Sequence, residues 1–476
     1  MNSEKLILVT GVSGYVGGNL VPRLLERGYR VRMLVRDPGR LAGRFWLPQV
    51  EMVHGDILSP DILNQAMQGV YAAYYFIHNM SSGGNYFEKE IDSARRFASA
   101  ASASGVEHII YLGGLADPEK DIGRHLLSRI QTGNVLRQGN VPVTEFRASL
   151  IIGSGSISFE MIRYLSEQFP ILVGPSWMRN RTQPIAIQNV LDYLVAALEN
   201  QASRGRIYEI GGEDSLTYAG TISVYARLRG LKRRIIVLPG MPVNLIAKLI
   251  GMFTPVPARI AGPLLGSMRT DSVVNDGAAN QDFPHIHPLN FETSVWQALE
   301  CLSPGCLEFG WENNASSFKI KQEGFFIVGQ RLQITVPPES AYCTITGLGG
   351  RTGWLSLDAL WKLRGMIDRL VGGPGRRGRR SDADLGEGDT LDFYRVEALE
   401  TNRLVRLRSE LKAPGVGWME WQIRPQPDGG TALIQITYFA PKGVPGFLYW
   451  YVLQPVHRLI FSGLLRAIAR RAGQIQ

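Results

Sequence analysis

Lys5-Leu-Ile-Leu-Val-Thr-Gly-Val-Ser-Gly-Tyr-Val-Gly17 decides how the first half of the chain is read. Leu6 to Thr10 is a short apolar-rich run, the kind of strand that a parallel sheet covered on both faces uses. Glycines follow at 11, 14 and 17, and Val16, Leu20, Val21, Leu24 and Leu25 recur behind them at helical spacing. Gly11 permits a tight strand-to-helix turn, Gly14 lets the backbone approach a pyrophosphate, and Gly17 lets helix and strand pack closely. The free amides at the start of that helix, with its dipole, make an anion site. Thr10, Gly11, Ser13, Gly14, Tyr15, Val16 and Gly17 are therefore the candidate cofactor-binding turn. Three glycines alone say little in a chain holding 53 of them. The strand before and the helix after make the motif specific.

The chain has 476 residues, enough for two or three domains with real cores. Its 45% hydrophobic and 20% charged content is that of a soluble globular protein. Cys301, Cys306 and Cys343 form no disulfide framework and no Cys-x-x-Cys pattern, which suits a reducing compartment. The chain enters a buried strand at once, with no room for a signal peptide, and contains no run of about 20 uncharged apolar residues. A cytoplasmic location is expected. The net charge of +9 gathers in Gly375-Arg-Arg-Gly-Arg-Arg380 and in Arg458, Arg466, Arg470 and Arg471 of the last helix. No nucleic-acid motif accompanies them. A solvated loop is the first reading, peripheral contact with an anionic membrane the second and nucleic acid the third, with no nucleic-acid partner expected.

In chain order, the first helix ends at Gly28 and Arg30 to Val35 is a second strand. Arg36 follows it, where an acidic residue would grip the 2′-hydroxyl of NAD. A guanidinium there, with Arg40 near, suits a 2′-phosphate, so NADP is expected, while Asp37 keeps NAD open. Glu51 to Val53 is a third strand leading to Asp56 and Ile57. Tyr71 to Ile77 is a fourth, with His78 at its carboxyl end, the edge where open α/β sheets hold ligands. A helix from Phe87 to Ser104 and a fifth strand, His108 to Leu112, lead to Gly113-Gly114. Val143 to Arg147 is the sixth strand. His285-Ile-His287 has no third ligand nearby, and no metal is expected.

The Thr-Gly-x-x-Gly-x-x-Gly form resembles the extended and atypical short-chain dehydrogenase/reductases, NmrA-like members included. That resemblance implies a doubly wound Rossmann-type α/β domain binding NAD(P) over residues 1–305. It puts Asp56 beside the adenine, where a helix-capping aspartate is the other reading, and Arg147 to Gly153 past the nicotinamide end. A small substrate-covering lobe is implied over about residues 155–300, carried by Pro184-Ile-Ala-Ile187, Asn189-Val-Leu-Asp192, Tyr208-Glu-Ile-Gly-Gly212 and Leu216-Thr-Tyr218. The usual serine, tyrosine and lysine are absent. Gly113 and Gly114 stand for the serine, His125 for the tyrosine and Arg129 for the lysine. An imidazole of ordinary pKa near 6.5 relays protons at neutral pH, and an arginine still holds ribose hydroxyls. His125 as acid/base, with Tyr111 or an ordered water as substitute candidates, His125 as a cofactor contact without chemistry, and His125 as an uninvolved surface residue are all open.

Composition shifts near Leu302 to Gly305, and residues 306–316 read as a linker. Strands are expected at Ser317 to Ile320, Phe325 to Thr335, Asp392 to Leu399, Leu404 to Leu411, Trp418 to Arg424 and Thr431 to Phe439, with Asp428-Gly-Gly430 as a hairpin signal. Short helices start near Val336-Pro-Pro338 and at Leu357, and a long one runs from Phe447 to Ala472. This order resembles the α+β helix-grip fold of the START/polyketide-cyclase-like superfamily, over residues 317–476. Gly349-Gly-Arg-Thr-Gly-Trp354, Leu360-Trp-Lys-Leu-Arg364, Gly388 to Arg395 and Phe447-Leu-Tyr-Trp450 with Pro455-Val-His457 resemble an uncharacterised family found behind such reductase domains. The dense aromatics line a cavity or fill a core, and His457 is a cavity residue or a buried structural histidine. The expected function is an NADPH-dependent oxidoreductase acting on a hydrophobic small molecule such as a quinone, isoprenoid or lipid-like carbonyl. The alternatives are a non-catalytic nucleotide sensor or assembly protein, and a lipid-binding module.

Overall fold

The computed structural model describes residues 4–474 except 42–43, 45, 79–85, 118–121, 254–257, 302–316, 323–324, 351, 380–384 and 427–428. It divides into two compact units, Met1–Glu312 and Asn313–Gln476. The expected linker, the composition shift before it and Cys306 lie outside the described residues.

The first unit is built on a seven-stranded parallel sheet. Its strands are β1 (Leu6–Thr10), β2 (Arg30–Val35), β3 (Glu51–His54), β4 (Ala72–Tyr75), β5 (His108–Gly114) and β6 (Val143–Ala148), with the strand Ile207–Ile210 at one edge. The order is Ile207–Ile210, β6, β5, β4, β1, β2, β3. β1 pairs in parallel with both β2 and β4, so the chain reverses direction across the sheet beside β1. In such a sheet the crevice at the carboxyl ends of these strands takes the ligand. Alternate residues of β1 enter opposite cores. Ile7 and Val9 join Leu20, Val21 and Leu24 of helix α1 (Tyr15–Glu26), whereas Leu6 and Leu8 join Ala94, Phe97 and Ala101 of helix α3 (Tyr86–Ala103). Both faces are thus covered, as a run of apolar residues without alternation demands.

Helix α1 stops short of the expected Gly28. Gly28 takes φ +78°, and the Gly28 and Tyr29 amides donate to the Leu25 and Leu24 carbonyls at 2.9 and 3.1 Å, closing the last turn. The fourth strand is shorter than Tyr71 to Ile77, because Phe76, Ile77 and His78 leave the ladder toward the crevice. Helices α2 (Pro60–Met67) and α4 (Arg124–Arg137) complete this half.

Behind the sheet, helices α5 (Ile157–Gln168), Tyr218–Leu228, Val243–Phe253, Ala258–Ser267 and Phe291–Glu300 form the lobe with short paired strands. Among these, Ile171–Pro175 lies parallel to Arg234–Leu238.

The second unit is a seven-stranded antiparallel sheet in the order Ser317–Gln322, Phe325–Ile334, Thr431–Pro441, Gly415–Pro425, Leu404–Ser409, Tyr394–Glu400, Thr390–Leu391. The central strand Thr431–Pro441 is buried along its whole length. Trp354, Trp361, Trp421 and Leu433 pack with Leu464 and Ile468 of the terminal helix Gly443–Ala472. Every strand and helix expected here from alternation and helical spacing is present, with ends moved by a few residues.

Candidate functional site

The glycine turn is held from below. Thr10 is fully buried, its hydroxyl donating to the Tyr74 carbonyl at 2.9 Å and accepting from the Phe76 amide at 3.1 Å. Its side chain therefore ties the tips of β1 and β4 together, and only its backbone borders the turn. Gly11 has φ +67°, and a Cβ there would strike the Phe76 carbonyl. The Gly14 amide donates to the Gly11 carbonyl at 2.9 Å just before α1 begins. At Gly17 a Cβ would come within 2.6 Å of the Gly11 oxygen, so the helix rests directly on the turn. Ser13 is exposed, and Val16 packs on the core beneath α1. The Tyr15 hydroxyl lies against Gly153, joining the turn to the end of the Arg147–Gly153 segment.

Arg36 and Asp56, twenty residues apart, meet at the ends of β2 and β3. The Arg36 Nη1 lies 3.9 Å from Asp56 Oδ2 in a loose pair, with the Arg36 side chain 70% exposed. Asp56 Oδ1 also accepts from the Leu58 amide at 3.0 Å, which is the capping role in its local form. Ile57 points into the core, so only its backbone faces outward.

The third group lies beyond β4 and β5. His78 Nδ1 donates to Glu90 of α3, and the Ser128 hydroxyl of α4 donates to the other Glu90 oxygen. The His78 and His125 ring centroids are 4.9 Å apart. Arg129, one turn after His125 on α4, donates to the Leu112 carbonyl and lies 4.8 Å over the Tyr111 ring. Tyr111 donates its hydroxyl to the Arg129 carbonyl at 2.9 Å, and burial pushes its pKa up to about 12. Its proton is directed at that carbonyl. Gly113 and Gly114 close β5: a Cβ at 114 would come 2.6 Å from Leu126 of α4, and one at 113 would come 3.1 Å from Glu145. The glycines standing at the family's serine position thus let α4 and the buried Glu145 approach the strand. Glu145 in turn pairs with Arg137 and with Arg147 at 2.7 Å.

Electrostatics here differ from the expectation for His125. Burial first, then the His78 ring and the Arg129 guanidinium, lower its pKa to about 3, against the ordinary value of 6.5. His78 is also lowered, mainly by burial. Burial alone would raise Glu90, but the His78 hydrogen bond and charge, with Arg129 and Ser128, outweigh it and bring Glu90 to about 2. At neutral pH Glu90 is thus a carboxylate and His125 a neutral imidazole. His78 Nε2, His125 Nδ1 and Arg129 Nη1 are buried and have no partner among the described residues. All three sit on side chains from the elements that follow β4 and β5.

In the lobe, α5, Ile171–Pro175 and the helices Tyr218–Leu228, Val243–Phe253 and Ala258–Ser267 surround a cavity of about 300 Å³, lined by Met161, Ile162, Trp177, Ile250 and Leu265. Its walls are almost wholly apolar. The helix Ala258–Ser267 also meets α4, since a Cβ at Gly123 would come 2.7 Å from the Gly266 backbone. One helix therefore adjoins both the His125 helix and the cavity. A second cavity, of about 250 Å³, lies in the C-terminal unit. His457 lines it, with Nδ1 lacking a described partner and a pKa lowered by burial, then by Arg364, to about 4. His287 uses its carbonyl to accept from Asn189, and no group of three or more His, Cys, Asp or Glu among the described residues is placed to hold a metal.

Residues 3–149 match the model of the NmrA-like family, and residues 329–464 match that of a family of proteins of unknown function, DUF2867. The N-terminal part of the first unit is thus similar to the NmrA-like family, NAD(P)-binding proteins of the atypical short-chain dehydrogenase/reductase type, and the second unit carries the stretch matched by DUF2867. The chain is 29% identical over 234 residues to a (4-alkanoyl-5-oxo-2,5-dihydrofuran-3-yl)methyl phosphate reductase of Streptomyces griseus, covering 47% of this chain and 74% of the relative. It is 25% identical over 252 residues to the photosystem II assembly factor Ycf39 of Trieres chinensis, covering 52% and 76%. The triphenylmethane reductase of a Citrobacter species, solved with NADP(H), superposes with a TM-score of 0.50 at 19% identity, over 61% of this chain and 99% of that one. At that identity the likeness is one of fold.

Glu90, Ser128 and Glu145 escaped the sequence reading. The available signal for Glu90 was its place on the buried stripe of α3, in step with Ser93, Ala94, Phe97 and Ala101.

Proposed function

We propose that this protein is an NADPH-dependent oxidoreductase that reduces a carbonyl or quinone group on an apolar small molecule. The observation that carries the reading is the cluster of buried His78, His125 and Arg129 atoms, without a partner among the described residues, on elements that follow β4 and β5 at the carboxyl edge of the sheet. The apolar cavity adjoining the same helical pair supports a hydrophobic substrate. A bound nicotinamide would supply the hydride. The amides of residues 13–17 would hold the pyrophosphate, Arg36 a 2′-phosphate, and Asp56 the adenine side. Neutral His125 would donate a hydrogen bond to the oxygen that gains charge, and Arg129 would stabilise that charge and orient the ribose. Glu90 would fix the His78 tautomer with its proton on Nδ1, leaving Nε2 as an acceptor. The C-terminal unit, with its antiparallel sheet and long terminal helix, is read as helix-grip in type.

Titration of the purified protein should show tighter binding of NADPH than of NADH, and Arg36→Ala should weaken NADPH about tenfold while sparing NADH. Equal affinities in the wild type would overturn the NADPH preference. Oxidation of NADPH by quinones, enones and long-chain ketones then tests the activity. The replaced serine, tyrosine and lysine favour one second reading, a nucleotide-responsive assembly or sensor protein. That reading prevails if NADPH binds and no compound in the panel oxidises it.

A further inference from the structure

We propose that the C-terminal unit docks on an anionic lipid bilayer through the outward faces of the helices Asp358–Leu370 and Gly443–Ala472. In the first helix Leu363, Met366, Ile367 and Leu370 fall at i, i+3, i+4 and i+7, the spacing that a globular helix turns toward its core. Here they are 46, 56, 42 and 80% exposed, while Trp361, Gly365 and Asp368 occupy the buried side. The terminal helix repeats the arrangement. Leu448, Val452 and Leu459 lie along one outward face at 58, 67 and 61% exposure, opposite the buried Trp450, Leu464 and Ile468. Two helices of one unit thus each present an apolar stripe to the outside.

The stripes border a single opening. Leu363 and Ile367 from the first helix and Leu453 and Val456 from the second line the same cavity, closed behind by Phe393 and Phe439. Because Leu363, Ile367 and Val456 are both lining and exposed, the cavity opens between the stripes.

Charge selects the occupant. Residues 313–476 hold 22 Lys and Arg against 14 Asp and Glu, a net +8, whereas the preceding residues hold 29 against 28. Arg466 and Arg470 continue the outward face of the terminal helix beyond Leu459, seven and eleven residues on. Both are exposed, and neither enters an ion pair among the described residues. Apolar side chains followed on one face by arginines suit a helix lying in the headgroup layer, its arginines on lipid phosphates. No helix among the described residues is long and apolar enough to cross a membrane, so the association would be with one leaflet.

The test is co-sedimentation of the full chain with vesicles of phosphatidylcholine alone and of phosphatidylcholine with phosphatidylglycerol. The wild type should bind the anionic vesicles, more weakly as salt rises. Leu370→Asp with Val452→Asp should lower that binding about tenfold or more, and Arg466→Glu with Arg470→Glu should lower it comparably. Both pairs are surface changes, and unaltered far-ultraviolet circular dichroism and thermal midpoints would show that the fold survives. Absence of wild-type binding to anionic vesicles overturns the proposal, as does wild-type binding by both variants. A dimer seen by light scattering, dissolved by the aspartate pair in a chain that binds no vesicles, also overturns it, since the face is then a self-association surface.

Discussion

Gly17→Ala is expected to lower the affinity for NADPH about tenfold or more, while Gly18→Ala, one residue on, leaves it nearly unchanged. The two glycines look alike in sequence and differ in what surrounds them. A Cβ at Gly17 would stand 2.6 Å from the Gly11 oxygen, 3.0 Å from its carbonyl carbon and 3.1 Å from Val12 Cα. All three are main chain, so relief requires α1 to lift from the turn or the turn to open. Either movement strains the Gly14 amide bond to the Gly11 carbonyl and misdirects the amides proposed to hold the pyrophosphate. Overpacking of this kind costs about 1–3 kcal/mol. At Gly18 a Cβ would meet the Arg44 guanidinium at 3.0 and 3.2 Å, the far end of a side chain. It would also meet the Val12 oxygen at 3.2 Å, a main-chain contact that a shift of a few tenths of an ångström relieves, against 2.6 Å at Gly17. Fluorescence titration with NADPH checks the contrast. Gly17→Ala binding as tightly as the wild type would show that this turn is not the nucleotide site.

What could be read from the sequence follows from where the causes lie. The β1–turn–α1 unit was legible because strand, glycines and helix are consecutive, and each glycine answers a local steric demand. The spacing of His125 and Arg129 on one helix face was legible for the same reason. In the C-terminal unit, alternation in Leu404–Ser409 and helical spacing in Asp358–Leu370 carried the elements, but not the direction of the apolar stripe. Leu363, Ile367 and Leu370 share a helical spacing and lie outside, because periodicity reports a face and not what covers it. The His125 environment was illegible for a stronger reason. Its lowered pKa arises from burial beside His78 and Arg129, and His78 lies 47 residues earlier in the chain. Glu145 shows the same limit: its partners Arg137 and Arg147 are near in sequence, yet only the sheet shows that all its neighbours exclude water.

Glu90→Leu is expected to destabilise the N-terminal unit by about 3–5 kcal/mol at pH 7, against about 1 kcal/mol for Glu90→Gln. The carboxylate is 1% exposed and accepts from both His78 and Ser128. Leucine would remove the acceptor for two buried donors and leave the neighbouring Arg129 charge without its compensating carboxylate. Glutamine keeps an acceptor for Ser128 and can donate to His78 Nδ1 if the imidazole proton moves to Nε2. The pH dependence separates charge from packing. Glu90 has a folded value of about 2 against an ordinary 4.5, so its stabilisation is complete above pH 4.5 and is lost as pH falls toward 2. His125, lowered from 6.5 to about 3, adds its own loss as pH falls through that range, because the unfolded chain takes up its proton first. The gap between wild type and Glu90→Leu should therefore be widest at neutral pH and narrow steadily below pH 4.5, while the His125 contribution lowers both together. Urea unfolding of the N-terminal transition at neutral pH and at pH values below 4.5 would measure it. Equal midpoints for wild type and Glu90→Leu at neutral pH would mean that the buried carboxylate does not hold α3, α4 and His78 together. Its proposed control of the His78 tautomer would then lose its physical basis.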